Sequence, residues 1–256
     1  VHLLTAKCNI YGGFAARIIF IPKVIHAITG LGYIFVDSKK NILRKLLKKL
    51  VILLYKLSIN AKSKVIFQNK ENLELFLIKK IIYQSQASLI FGSGVNTETY
   101  SYSEEKISNN PIILFPSRLL IEKGVKTFIE ASKIIKDNIK VRMIIAGELD
   151  VENPSSISKS EIDESVNLGL IEWLGHVKDM PKLLSESSIV CLPSYYPEGI
   201  PKSLIEAASC GRSIITTDMP GCNEIVKNNY NGKLIPVKSH DSLANEIINL
   251  IDSSEV

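Results

Sequence analysis

From residue 111 onward, short apolar runs alternate with stretches whose apolar positions recur every three or four residues. The runs at 112–115, 141–146, 171–174, 189–192, 213–216 and 233–237 are apolar nearly throughout and read as strands covered on both faces. Between them, 125–136, 159–168, 180–186, 201–210, 223–227 and 242–251 carry helical periodicity. Six strand–helix units predict a complete doubly wound parallel sheet of the Rossmann type.

The front of the chain follows the same pattern with fewer parts. Strands are expected at 23–28, 64–68 and 87–91, with a fourth at 1–5, and one long helix over 42–59. The run 96–110 is polar, poor in apolar residues, and predicts an interdomain linker. The expected fold class is α/β, with two Rossmann-like domains at 1–105 and 111–256, the first shortened at its N-terminal side.

Composition narrows the class. With 46% hydrophobic and 22% charged residues the chain reads as an ordinary globular protein with a real core. The most apolar stretch, 46–59, is interrupted by Lys48, Lys49 and Lys56, so no membrane-spanning helix is expected. No signal-peptide pattern opens the sequence, and Cys8, Cys191, Cys210 and Cys222 show no paired or metal-type spacing. Free thiols in a cytoplasmic setting follow. Charge is unevenly placed: residues 1–110 hold 16 Lys and Arg against 6 Asp and Glu, and residues 111–256 hold 15 against 20. Such a split points to two units with different partners, one of them anionic.

The densest chemical signal is Pro197-Glu198-Gly199-Ile200-Pro201-Lys202-Ser203-Leu204-Ile205-Glu206-Ala207. It follows an apolar strand, with Pro201 suited to a first helical turn and Gly211 to a helix stop. Glu198 therefore belongs to a loop at the carboxyl edge of a parallel sheet, where ligands bind, and Glu206 to the helix beyond it. Backbone N–H groups at that helix start suit a phosphate. A lone glutamate is usually a solvated surface group. Glu206, set among Ile205, Ala207 and Ala208, needs a partner.

The spacing of Glu198 and Glu206, with Gly199, Pro201 and Ala207 in place, resembles the signature of family-4 retaining glycosyltransferases. So do Phe115-Pro116-Ser117-Arg118-Leu119-Leu120 with Glu122-Lys123-Gly124-Val125, and Ile144-Ile145-Ala146-Gly147. Trp173-Leu174-Gly175-His176-Val177, Pro220-Gly221-Cys222-Asn223-Glu224 and Asn231-Gly232 follow in the same order. The resemblance implies the GT-B fold, two Rossmann-like domains facing a cleft. It implies that Arg118 and Lys123 clamp the donor diphosphate, that Glu206 holds the ribose, and that Glu198, with Gly199 and Ile200, meets the donor sugar. Leu204 and Val177 would offer backbone groups to phosphate and base. No Asp-x-Asp motif occurs, Glu148-Leu149-Asp150 being the nearest, so metal-independent chemistry with no cofactor beyond the UDP-sugar substrate is expected.

In the front unit, Ile10-Tyr11-Gly12-Gly13, Thr29-Gly30-Leu31-Gly32-Tyr33-Ile34-Phe35, Val65-Ile66-Phe67-Gln68-Asn69 and Gly92-Ser93-Gly94-Val95 resemble members that build lipid-linked polysaccharide precursors such as O-antigen. These add hexoses or N-acetylhexosamines to undecaprenyl-diphosphate carriers. Members often place a functional histidine near Thr29; His26, three residues earlier, reads instead as a core-edge residue. Family chains also have further strands before Val1 and helices after Val256, so a shortened chain is expected, with its own catalytic competence open.

Residues 39–64 gather Lys39, Lys40, Arg44, Lys45, Lys48, Lys49, Lys56, Lys62 and Lys64 around leucines and isoleucines. Two readings weigh equally: a helix for an anionic membrane surface or a partner helix, and a core helix with a solvated basic face. No nucleic-acid motif accompanies the charge. The leading reading is a transferase peripheral to the inner membrane face. The alternatives are a non-catalytic sugar-nucleotide- or partner-binding module, and a sugar-nucleotide epimerase on the same scaffold.

Overall fold

The computed structural model describes residues 1–31, 35, 42–105, 108–196 and 199–254. Lys39, Lys40, Pro197 and Glu198 lie outside these residues, as do Gly32, Tyr33 and Ile34. The chain forms two units, residues 1–94 with 196–201, and residues 95–195 with 202–256.

In the first unit, β1 (His2–Leu4), α1 (Ala6–Ile18), β2 (Ile25–Ile28), α2 (Ile42–Ser58), β3 (Lys64–Phe67), α3 (Lys70–Ile78) and β4 (Ala87–Leu89) follow in sequence. The strands are parallel in the order β1-β2-β3-β4, with His26 opposite Val65 and Val65 opposite Ala87. The core centres on Phe76, met edge-on by Tyr55 and Phe67 at ring separations of 5.2 and 5.1 Å. Such aromatic pairs add about 0.5–1.5 kcal/mol each beyond the area they bury.

Helices α1 and α3 were not legible in the periodicity. α1 contains Gly12 and Gly13, each worth about 1 kcal/mol against a helix; packing against β1, β2 and α2 overrides that. α3 starts at an N-cap in which the Asn69 side chain accepts from the Asn72 N–H at 2.8 Å. His26, on β2, is fully buried. Its Nδ1 lies 3.1 Å from Asn9 Oδ1, which can only accept, so Nδ1 carries the proton. Burial pushes the ring's pKa down to about 4.

The second unit runs β5 (Ile112–Pro116), α4 (Val125–Lys136), β6 (Arg142–Ala146), α5 (Lys159–Asn167), β7 (Glu172–Gly175), α6 (Met180–Glu186), β8 (Ile189–Leu192), α7 (Lys202–Ser209), β9 (Ser213–Thr217), β10 (Gly232–Ile235) and α8 (His240–Ser254). All six strands are parallel, in the order β10-β9-β8-β5-β6-β7. β5 and β8 are buried at every residue, as two-sided coverage requires. α5 opens with a capping box between Ser158 and Glu161. α6 opens with Asp179 accepting from the Lys182 N–H at 3.1 Å.

Residues 223–225 form a turn and 226–227 are irregular, where a helix was expected. Five residues give too few i→i−4 bonds to offset nucleation. The Asn231 side chain instead takes the Lys227 N–H at 2.7 Å and donates to the Ile225 carbonyl at 2.9 Å. The polar run after Val95 is anchored on the second unit: Ser209 Oγ donates to the Tyr100 carbonyl at 2.5 Å, and the buried Arg212 guanidinium donates to the Ser103 carbonyl.

Candidate active site

In the second unit, β5 lies between β6 and β8, so the chain leaves β5 toward one edge and later returns to its other side. In open α/β sheets, ligands bind outside the carboxyl ends of the strands at such a reversal of strand order. The sequence-assigned residues of this unit sit on loops or helices that follow that edge: Arg118 and Lys123 after β5, Val177 after β7, Leu204 and Glu206 on α7 after β8.

Arg118 stands two residues past β5, on a loop braced by the loop after β6. The Leu119 N–H donates to the Glu148 carbonyl at 3.1 Å, and Trp173 Nε1 holds the Gly147 carbonyl at 2.9 Å. A Cβ on Gly147 would overlap the Ser117 carbonyl, so the two loops approach this closely only with glycine there. Arg118 is exposed, and its Nη1 pairs with Asp150 Oδ2 at 2.9 Å. Asp150, noted in the sequence only within the nearest imitation of an Asp-x-Asp motif, is thus a carboxylate partner of a candidate phosphate ligand.

Lys123 lies on a short 3-10 turn, Ile121–Lys123, ending at Gly124, whose φ of 88° is left-handed. A Cβ there would also overlap the Pro193 carbonyl, after β8. The same two loops are joined at Glu122, whose carbonyl accepts from the Tyr195 N–H at 2.9 Å and from Ser194 Oγ at 3.2 Å. The Lys123 turn is therefore held against the loop after β8. A further cation sits on this edge: Lys238, after β10, lies 4.6 Å from the centre of the Tyr195 ring.

α7 begins at Lys202, one residue later than expected, with Pro201 just ahead of it. Leu204 is in the first turn, where backbone N–H groups have no intrahelical acceptor, while its side chain is fully buried in the core. Glu206 is buried, 8% exposed. Lys202 Nζ lies 3.5 Å from the carboxylate, and the carboxylate acts on the phenol of Tyr100. Burial first, and the neighbouring Glu206 carboxylate second, push the Tyr100 phenol up to about 12. A carboxylate accepts about four hydrogen bonds, so room for a diol remains. Gly199 and Ile200, both buried, fall with the first unit, where the Gly199 N–H donates to the Thr29 carbonyl at 2.9 Å. Val177 is partly buried against the core of the second unit.

The pattern of the family Glycosyl transferases group 1 matches residues 96–256, a span that takes in Tyr100, Arg118, Lys123, Asp150 and Glu206. The chain belongs to this family. Among curated group 1 relatives, a Campylobacter jejuni N,N'-diacetylbacillosaminyl-diphospho-undecaprenol alpha-1,3-N-acetylgalactosaminyltransferase is 33% identical over 98% of this chain and 67% of its own length. An Escherichia coli UDP-Gal:alpha-D-GlcNAc-diphosphoundecaprenol alpha-1,3-galactosyltransferase is 27% identical over 98% of this chain and 66% of its own. Among solved structures, Anabaena HepE in complex with UDP superposes with a TM-score of 0.79 at 22% identity, covering 99% of this chain and 69% of HepE. That likeness shows a shared fold. The chain spans about two thirds of the length of these three proteins.

Sequence reasoning missed Tyr100 and Asp150 as neighbours of the candidate residues Glu206 and Arg118. Tyr100 carried one usable signal, an aromatic ring inside a polar linker. Asp150 carried none, because its pairing with Arg118 joins loops that follow different strands.

Proposed function

We propose that this glycosyl transferase moves a hexose or N-acetylhexosamine from a UDP-sugar, with retention, onto a saccharide carried by undecaprenyl diphosphate in cell-surface polysaccharide synthesis. The observation that carries the reading is the joined pair of loops at the switch point of the sheet. They put Arg118 and Lys123 on the segment after β5 and lead, after β8, into the helix bearing the buried Glu206. The acceptors named for the Campylobacter and Escherichia relatives, and the UDP bound by HepE, support it.

In this mechanism Arg118 and Lys123 bind the diphosphate and stabilise the charge that grows on it as the glycosidic bond breaks. Fixed cations suit that task because little must reorganise at the moment of reaction. They take the place of a metal. Glu206 accepts from the ribose hydroxyls, the first turn of α7 at Leu204 offers N–H groups to phosphate, and the backbone at Val177 meets the base. Glu198, Gly199 and Ile200 contact the donor sugar. The acceptor hydroxyl attacks from the face that the diphosphate leaves. The acceptor is lipid-borne, so the protein works peripherally at an anionic inner membrane face; among the described residues no helix is long and apolar enough to cross a membrane.

Calorimetry with UDP in the presence of a chelator tests the donor half: binding should persist, and its loss would end the metal-free reading. Transfer of radiolabelled sugar to an undecaprenyl-diphosphate-linked saccharide tests the acceptor half, with the free saccharide as the control.

A further inference from the structure

Helix α2 has two apolar faces, and among the described residues only one of them is packed against the core. Tyr55 and Ser58 are each 1% exposed and, with Val51 and Leu54, face the core of the first unit. Leu43, Leu46, Leu50, Leu53 and Leu57 are 74, 65, 49, 50 and 47% exposed. Their spacing of three and four residues aligns them in one stripe roughly 20 Å long. Lys45, Lys49 and Lys56, all exposed, run beside that stripe. The helix packs on the core, and it also presents leucines to the outside.

The stripe is extended at the end of α1. The Arg17 guanidinium donates to the Leu57 carbonyl, which sets the last turn of α1 beside the last turn of α2. There three consecutive apolar side chains protrude, Ile18 at 74%, Ile19 at 66% and Phe20 at 88% exposure. Phe20 has a φ of 55°, a left-handed conformation that usually belongs to glycine at a helix end. It is fixed by the Ile21 N–H donating to the Ala16 carbonyl at 2.8 Å and the Phe20 N–H to the Arg17 carbonyl at 3.3 Å. A strained backbone that displays a nearly fully exposed phenylalanine gains nothing within the first unit.

We propose that the leucine stripe of α2 and the Ile18-Ile19-Phe20 tip form one docking face for an anionic lipid bilayer, with α2 lying in the interface plane and Phe20 entering the lipid. This deepens the peripheral-membrane reading above by naming the surface that meets the lipid. Charge selects the occupant: residues 1–70 hold 13 Lys and Arg and a single carboxylate, Asp37. Arg17, bonded to the Leu57 carbonyl, and the exposed Lys45, Lys49 and Lys56 border the apolar face. A leucine face flanked by lysines is what an interfacial helix needs, its apolar side among acyl chains and its cations at the headgroups. A second copy of the chain would bring the same positive border against itself, and like charges facing each other oppose association.

Phe20→Trp tests the tip, compared with the unsubstituted protein, whose single tryptophan, Trp173, belongs to the second unit. With phosphatidylglycerol vesicles the substituted protein should gain a blue-shifted emission component quenched by dibrominated lipid, absent with phosphatidylcholine. Phe20→Ser combined with Leu53→Ser should weaken co-sedimentation at least tenfold while leaving UDP affinity and the circular dichroism spectrum unchanged. Co-sedimentation with neither an emission change in the Phe20→Trp protein nor an effect of the double substitution would overturn this face and leave a membrane role elsewhere. No co-sedimentation at low salt would overturn the membrane reading itself. A dimer dissolved by the double substitution would assign the face to a second copy instead. Loss of UDP binding in the unsubstituted protein, measured separately, would strike the transferase reading and not this one.

Discussion

Arg118 Nη1 and Asp150 Oδ2 lie 2.9 Å apart, so a cation placed for a diphosphate already has a carboxylate beside it. The arginine side chain is 60% exposed, which limits the pair to about 1 kcal/mol or less. A charge-assisted bond to diphosphate is worth more, about 1.5–3 kcal/mol. The diphosphate should therefore win the guanidinium. Arg118→Ala is expected to weaken UDP binding about 10–100-fold. Asp150→Asn is expected to strengthen it, by up to about fivefold. Calorimetry decides between this competition and the opposite role: weaker UDP binding in Asp150→Asn would make Asp150 an orienter of Arg118.

Glu206 and Tyr100 should behave as one unit in ribose binding. Because Glu206 acts on the Tyr100 phenol, Tyr100→Phe should weaken UDP affinity, by no more than the roughly 1 kcal/mol of one hydrogen bond. In a Glu206→Ala background the same change should have no further effect, since contacting residues are not additive. Glu206→Ala should also abolish the preference for UDP over 2′-deoxy-UDP. If that preference survives, Glu206 does not read the ribose.

Gly124 offers a test of the loop apart from its charges. Its left-handed φ and its approach to the Pro193 carbonyl both exclude a side chain. Gly124→Ala should cost about 1–3 kcal/mol of stability and lower UDP affinity by displacing the Lys123 turn. A variant that loses stability in urea titration yet binds UDP normally would remove Lys123 from the site.

His26 makes the first unit acid-sensitive. Its folded pKa of about 4 lies below the ordinary value of 6.5, so between those two pH values the unfolded chain binds a proton that the folded one does not. Stability is then complete above about pH 6.5 and falls as pH drops toward 4, by at most about 1.4 kcal/mol per pH unit. Urea midpoints at pH 7 and pH 5 should show this loss, and His26→Gln should flatten the difference. An equal loss in both proteins would place the titrating group elsewhere.

Strand positions were legible because a two-sided parallel sheet demands apolar runs, and 112–115 or 189–192 can hardly read otherwise. The family pattern was legible because Arg118, Lys123, Glu206 and the glycines are chemistry at fixed spacing. The sequence by itself thus determined the fold class of the second unit and the candidate donor residues. It did not yield α1 and α3, where packing and an asparagine cap outweigh two glycines and a weak period. Only tertiary structure decided which groups meet: Asp150 pairs with Arg118, and Glu206 acts on Tyr100, across distances in sequence that no local pattern encodes. The same holds for α2. Its leucines and lysines give one amphipathic period, but whether a leucine is core or surface depends on where the rest of the unit packs. The core took the side of Tyr55 and Ser58, and the leucine stripe was left facing out.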